Sequence, residues 1–222
     1  MDAIITAAGK NSRMVNDFKR MNKTPTHKLK LKIDNREILI HTIDNIQKSD
    51  VENITIVLGN FREEIHKLLE DYHLTDKISI RYNRDNDVGL SQSIATALEG
   101  CSDKYYLFAA GDQPTVSPNT INSMIEKLES SPNPANTVSI LARRKTGWLD
   151  SAEGLGMPFC CCGSLLYRYL KNENDNLNPI LRKMIKDNVE FYGVKARNDL
   201  ELLNINCYED YLKIKEEFEK IQ

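Results

Sequence analysis

The residues best suited to chemistry stand at the ends of this chain's apolar runs. The run Ala3–Ala7 leads into Ala7-Ala8-Gly9-Lys10-Asn11-Ser12-Arg13-Met14. Small residues there let the backbone come close to a ligand and turn its N–H groups towards phosphate oxygens. Arg13 adds a fixed positive fork that suits the same oxygens. The loop is neither a dinucleotide fingerprint nor a Walker loop, because the glycine spacings and the Gly-Lys-Ser/Thr ending are missing. A plain strand-to-helix turn with a surface arginine fits it equally well. Farther on, Asp112 follows Tyr105–Ala109 within Ala110-Gly111-Asp112-Gln113-Pro114. A carboxylate at the carboxyl end of a central strand is placed to hold a hard cation between phosphate oxygens. The competing reading is a turn residue, since Gly-Asp-x-Pro also turns well. Ser91 and Ser93, in Gly89-Leu90-Ser91-Gln92-Ser93-Ile94, open a helical pattern. Their hydroxyls could meet a base, ribose or phosphate, or simply cap the helix, with Ser91 before a start near Gln92. Lys28 is one of several lysines in a basic stretch, and Asn204 follows Leu202-Leu203 at the end of another expected strand.

Those positions need elements to carry them. Ala3–Ala7, Ile54–Leu58, Ile78–Tyr82, Tyr105–Ala109 and Val138–Leu141 read as strands. The first, second and fourth lack polar alternation, which suits a sheet covered on both faces. Helical patterns run over Ile38–Gln47, Arg62–Tyr72, Ser91–Leu98, Asn119–Leu128 and Tyr208–Ile221. Thr115-Val116-Ser117-Pro118 has the hydroxyl cap and early proline of a helix start. This alternation predicts an α/β fold: a doubly wound, mostly parallel sheet with helices on both faces. Such sheets bind ligands beyond the carboxyl ends of their strands. Residues 130–136 read as an irregular loop, and 145–180 as the least regular segment.

Composition narrows the classes. The 222 residues suit a single domain, 1–222, with 145–180 as an acceptor-side subregion. The net charge of −2 is spread along the chain, without the basic stripe expected of a nucleic-acid binder. No apolar run approaches the about 20 residues that span a bilayer. With no signal-like start, a cytoplasmic location is expected. Cys101, Cys160, Cys161, Cys162 and Cys207 read as small buried residues in a reducing compartment. Neighbours in a strand point to opposite faces and cannot jointly hold one tetrahedral metal.

Taken together, the motifs resemble the nucleotidyltransferase superfamily that opens with Leu-Ala-Ala-Gly-x-x-x-Arg-Met, and within it molybdenum cofactor cytidylyltransferases. His27-Lys28-Leu29-Lys30-Leu31 with Ile38-Leu39-Ile40 is similar to its lysine-bearing strand and following helix. Gly89–Ile94 is similar to its Gly-x-Ser-x-Ser-Ile/Leu turn, and Gly111–Pro114 to its Gly-Asp-x-Pro motif. Asn204-Ile205-Asn206-Cys207-Tyr208-Glu209-Asp210 resembles its closing motif. The resemblance implies attack of an acceptor phosphate on the α-phosphorus of a nucleoside triphosphate, with release of pyrophosphate and a requirement for Mg²⁺. It implies catalytic roles for Arg13, Lys28 and Asp112, and nucleotide contacts from Ala7, Ala8, Gly9, Arg13, Lys28, Gly89, Ser91 and Asp112. It implies metal binding by Asp112 and Asn204, with Asn206 orienting the loop. Alanine rather than glycine at position 8 favours CTP.

Some segments depart from the family. The stretch 15–27 is longer than usual, and Lys19, Arg20 and Lys23 make it a basic loop or lid. Gly156-Met157-Pro158 resembles a Gly-Asn-Pro strand near the acceptor, but the expected Gly-Asp-x-Gly is replaced by Asn174-Asp175-Asn176-Leu177-Asn178-Pro179. Trp148 could stack on a flat ligand, though a lone tryptophan usually packs. Three functions follow: cytidylyl transfer to a molybdopterin-type cofactor, with a client molybdoenzyme as a further partner; activation of a sugar or alcohol phosphate; or a non-catalytic nucleotide-binding partner of molybdoenzymes.

Overall fold

The computed structural model describes residues 1–85, 88–100, 104–171, 173 and 176–221. Cys101, Asn174 and Asp175 therefore lie outside the described residues. Strand β1 (Asp2–Ala7) is followed by helix α1 (Ser12–Arg20), a small hairpin of β2 (Lys32–Ile33) and β3 (Arg36–Glu37), and α2 (Ile38–Gln47). Then β4 (Ile54–Leu58), α3 (Arg62–Asp71), β5 (Ser79–Tyr82), α4 (Leu90–Leu98), β6 (Tyr105–Ala110) and α5 (Pro118–Glu129) continue the alternation. The remainder holds β7 (Thr137–Ala142), β8 (Gly147–Leu149), β9 (Phe159–Cys162), α6 (Gly163–Leu170), α7 (Leu177–Lys186), β10 (Glu190–Lys195) and α8 (Tyr208–Ile221).

Eight strands form one sheet in the order β5-β4-β1-β6-β9-β7-β10-β8. Strand β1 runs parallel to β4 and β6, β4 to β5, and β7 to β10. Two strands run the other way: β9 pairs antiparallel with both β6 and β7, and β8 with β10. Alternate residues feed two cores. Ile5, Leu107 and Cys160 face one, with Ile43 and Met124, whereas Ile4, Phe108 and Cys161 face the other, with Ile94 and Leu166. The expected doubly wound, mostly parallel sheet is what forms. No helix of the described residues is long and apolar enough to cross a membrane.

Several local expectations are corrected. The basic stretch 15–27 begins as the helix α1, whose apolar residues Met14 and Phe18, one turn apart, are both buried. Helix α4 starts at Leu90 after Gly89, and Ser91 does not cap it. Segment 130–136 contains a short 3₁₀ turn, Pro134–Asn136. Segment 145–180 supplies two strands and helices α6 and part of α7. Asn204 follows a 3₁₀ turn, Asp199–Leu202, instead of a strand. Cys160, Cys161 and Cys162 are buried free thiols in β9, and burial pushes the first two far from ionisation. Ser117, by contrast, caps α5 as expected, accepting from the Thr120 N–H at 3.3 Å.

Candidate active site

Beyond the carboxyl ends of β1 and β6 lies a cavity of about 350 Å³ bordered by Ala8, Gly9, Lys28, Asp112, Met157 and Asn204. Its first wall is the loop after β1, which also contributes Ala7. Asn11 turns this loop at φ 58° and is buried. Its Nδ2 donates to the Thr26 carbonyl at 3.2 Å, and its Oδ1 accepts from the Lys28 N–H at 3.3 Å. The polar asparagine that tolerates the left-handed turn thus also fixes where Lys28 begins. A Cβ on Gly59, just after β4, would lie 2.8 Å from both the Ala8 Cβ and the Ala8 carbonyl oxygen, so only glycine lets this loop settle on β4.

Lys28 and Asp112, 84 residues apart, meet in the floor of the cavity. The Lys28 ammonium donates to Asp112 Oδ2 and to the Ile205 carbonyl at 2.9 Å. The loop bearing Asp112 is pinned from behind: Thr42 donates to the Gly111 carbonyl at 3.1 Å and Asn45 to the Pro114 carbonyl at 2.9 Å. The Ile205 N–H reaches the Asp112 carbonyl at 3.1 Å, tying the closing motif to this loop. Asp112 Oδ1 is buried without a hydrogen-bond partner among the described residues. Buried carboxylate oxygens are normally satisfied, so this one fits a site for a cation. Around the floor, Arg13 lies exposed in the first turn of α1 and donates from Nη2 to Asn206 Oδ1 at 3.0 Å. Asn206 also donates to the Asn204 carbonyl at 3.3 Å.

The MobA-like NTP transferase domain family matches residues 3–190. The chain belongs to that family. A nucleotidyl transferase from Methanothermobacter thermautotroptrophicus is 36% identical, with a TM-score of 0.90, and the match covers 100% of this chain and 98% of that one. The bifunctional protein GlmU of Clostridium novyi is 31% identical over 126 residues, which is 56% of this chain and 25% of that protein. The chain therefore spans only about a quarter of that curated relative's length. An inositol-1-phosphate CTP transferase from T. maritima shares the fold at 16% identity and a TM-score of 0.65, over 99% of this chain and 95% of that one.

Within this family member, the structure brings Ala7, Ala8, Gly9, Lys28, Asp112 and Asn204 to one cavity, with Arg13 beside it through Asn206. Ser91 is not among the cavity residues: it is fully buried and donates its hydroxyl to the Glu173 carbonyl at 3.1 Å. Gly89 precedes α4, and it is Val88, Leu90 and Ser93 around it that border the cavity. Asn204 Oδ1 accepts from Gln113 Nε2 and from Arg143 Nη2, each at 3.0 Å. Sequence reasoning missed Gln113, Arg143 and His27. Arg143 carried a signal, since it is a cation two residues past the carboxyl end of the expected strand Val138–Leu141. Burial lowers its pKa, while the nearby Asp112 charge acts to raise it. His27 is 4% exposed and borders the cavity, its Nδ1 accepting from the Leu29 N–H at 3.3 Å. Burial brings its pKa down to about 4, so it stays neutral.

Proposed function

We propose that this nucleotidyltransferase transfers CMP from CTP to the phosphate of a small-molecule acceptor and releases pyrophosphate. The observation that carries the reading is the Lys28–Asp112 pair in the cavity floor, with one carboxylate oxygen unpartnered, facing the loop of Ala8 and Gly9. Phosphoryl chemistry rests on position and charge more than on a covalent nucleophile. An acceptor phosphate oxygen forms the new bond to the α-phosphorus as the bond to the bridging oxygen of pyrophosphate breaks. Lys28 turns its ammonium from Asp112 to the triphosphate, and Arg13 brings a second positive group from the start of α1. Apart from its chain neighbours, no atom lies within 4 Å of where a Gly9 Cβ would stand, which leaves room for a phosphate to approach this loop. Asp112 Oδ1 would hold a divalent cation, Mg²⁺ by resemblance, which when bound neutralises charge on the phosphate oxygens. Ala8, which lies against Gly59 and borders the cavity, carries the methyl that the resemblance associates with the smaller pyrimidine.

We take as the acceptor wall the part of the cavity bordered by Gly156, Met157 and Leu177, which is apolar. Asn178 holds this wall by donating to the Ala152 and Leu155 carbonyls at 2.9 and 3.1 Å. This supports reading segment 145–180 as the acceptor-side part of a single 1–222 transferase unit. Trp148, the candidate for stacking on a pterin, sits on β8 at the sheet edge, packed on Tyr192 with its ring 5.2 Å away. That placement favours an alcohol or sugar phosphate, in keeping with the named substrate of the inositol-1-phosphate CTP transferase that shares the fold. A molybdopterin-type acceptor, with a client molybdoenzyme, is the second reading and rests on the motif resemblance. The free cysteines suit a reducing cytoplasm. Pyrophosphate release, measured with each of the four nucleoside triphosphates against alcohol phosphates, sugar phosphates and molybdopterin, tests the proposal. Release with CTP and an alcohol or sugar phosphate is expected. Tight triphosphate binding without release for any acceptor would point to the non-catalytic partner.

A further inference from the structure

Asn204 stands where the resemblance puts a second metal ligand, yet the groups behind it dictate which end of its amide meets the cavity. The constraint starts at the backbone. The Ala110 N–H can only donate, and it donates to Gln113 Oε1 at 3.1 Å. The other end of Gln113, which is 2% exposed, must then be its NH₂ group. That group donates to the Met157 carbonyl at 2.7 Å and to Asn204 Oδ1 at 3.0 Å. Arg143 makes the same demand independently, because a guanidinium has donors only, and its Nη2 lies 3.0 Å from Asn204 Oδ1. Arg143 also donates from Nη1 to the Leu202 carbonyl and from Nη2 to the Met157 carbonyl at 3.4 Å. Its acceptors are all neutral oxygens, so its charge is not cancelled by a carboxylate in direct contact among the described residues. Neither Gln113 nor Arg143 is among the residues bordering the cavity, whereas Asn204 is. A cation placed on Asn204 Oδ1 would therefore compete with a guanidinium for one oxygen and feel its like charge.

We propose that Asn204 serves the cavity as a hydrogen-bond donor, its Nδ2 meeting a phosphate oxygen, and that Arg143 is the positioning residue that sets this orientation. Accepting from a guanidinium at Oδ1 polarises the amide and strengthens its N–H as a donor to an anion. Arg143 thereby passes part of its charge to the substrate without touching it, and Asp112 holds the cation without Asn204. The inference rests on the nucleotidyl-transfer reading of the site.

The test uses the full chain and two measurements that need no turnover: calorimetric binding of CTP and of inorganic phosphate in EDTA, and Mn²⁺ binding by electron paramagnetic resonance. Asn204→Ala should weaken metal-free CTP binding about tenfold, the worth of one hydrogen bond to a charged oxygen, and leave Mn²⁺ affinity within about twofold. Asn204→Asp, which keeps the shape and the bonds from Gln113 and Arg143 but replaces the donor by an anionic oxygen, should lose at least as much. Arg143→Met should cost CTP affinity in the wild-type background and add little to Asn204→Ala, as expected if it acts through that residue. Loss confined to inorganic phosphate would place the oxygen on the acceptor and still support the donor role. About tenfold weaker Mn²⁺ binding in Asn204→Ala, or unchanged affinity for both anions, would overturn it. A wild-type chain that binds CTP and inorganic phosphate while Asn204→Ala binds both equally well refutes this inference alone. A wild-type chain that binds none of the four triphosphates refutes the functional reading with it.

Discussion

Asp112→Asn keeps the shape of the side chain and removes its charge, so it separates what the carboxylate does for the fold from what it does for the reaction. The Asp112 and Lys28 side chains are 14% and 16% exposed, which puts the pair mostly out of water. Removing one partner of such a pair costs about 3–5 kcal/mol when the remaining charge is left stranded. Here the Lys28 ammonium keeps the Ile205 carbonyl at 2.9 Å, and the new amide oxygen can replace the lost acceptor. The expected loss of stability is therefore smaller, about 1–2 kcal/mol, which a domain with a typical 5–15 kcal/mol survives folded. Turnover should fall much further. The variant loses the negative charge with which the unpartnered Oδ1 would hold a cation against the triphosphate, and an effect of about 4 kcal/mol would be about a thousandfold in rate. Urea unfolding and pyrophosphate release at saturating Mg²⁺ measure the two losses on one preparation. A folded Asp112→Asn chain that turns over within tenfold of the wild type would refute the placement of the reaction at this floor.

Two further outcomes follow from buried groups around the same loop. An unfolded histidine takes up its proton near pH 6.5, whereas folded His27 stays neutral down to about 4, so the unfolded state binds more protons between those values. The corresponding stability is fully present above pH 6.5 and is lost as pH falls towards 4, by up to about 3 kcal/mol. Urea midpoints at several pH values should fall more steeply for the wild type than for His27→Gln, and equal slopes would refute the assignment. Gly59→Ala places a methyl 2.8 Å from the Ala8 carbonyl oxygen and should cost about 1–3 kcal/mol by displacing the loop. It should also raise the KM for the triphosphate. Unchanged unfolding and unchanged KM would show that the loop does not depend on this contact.

How much was legible in the sequence can be followed residue by residue. Strand β4 and helix α2 have the bounds read from the chain, because a fully apolar run of five residues and a 3.6-residue apolar period are local signals. Helix α1 was hidden: its charged residues suggest a loop, and only Met14 and Phe18 carry its buried face. Their reason to be buried lies far away, where Phe18 meets Tyr208 with ring centres 5.5 Å apart. Ser91 was visible as a hydroxyl near a helix start, but not the Glu173 carbonyl that takes its hydrogen.

The sequence alone determined that a small-residue loop and a carboxylate would each follow a buried strand, and that parallel strands would bring such ends to one side. That much rests on periodicity and turn chemistry, which act over a few residues. Only the tertiary structure decided that β9 enters antiparallel between β6 and β7, and that Lys28 reaches Asp112. The same holds for Gln113 and Arg143, which together fix the face Asn204 shows to the cavity. These are contacts between residues tens of positions apart. They form because each buried donor must find an acceptor in the packed interior, and no local pattern records which one it finds.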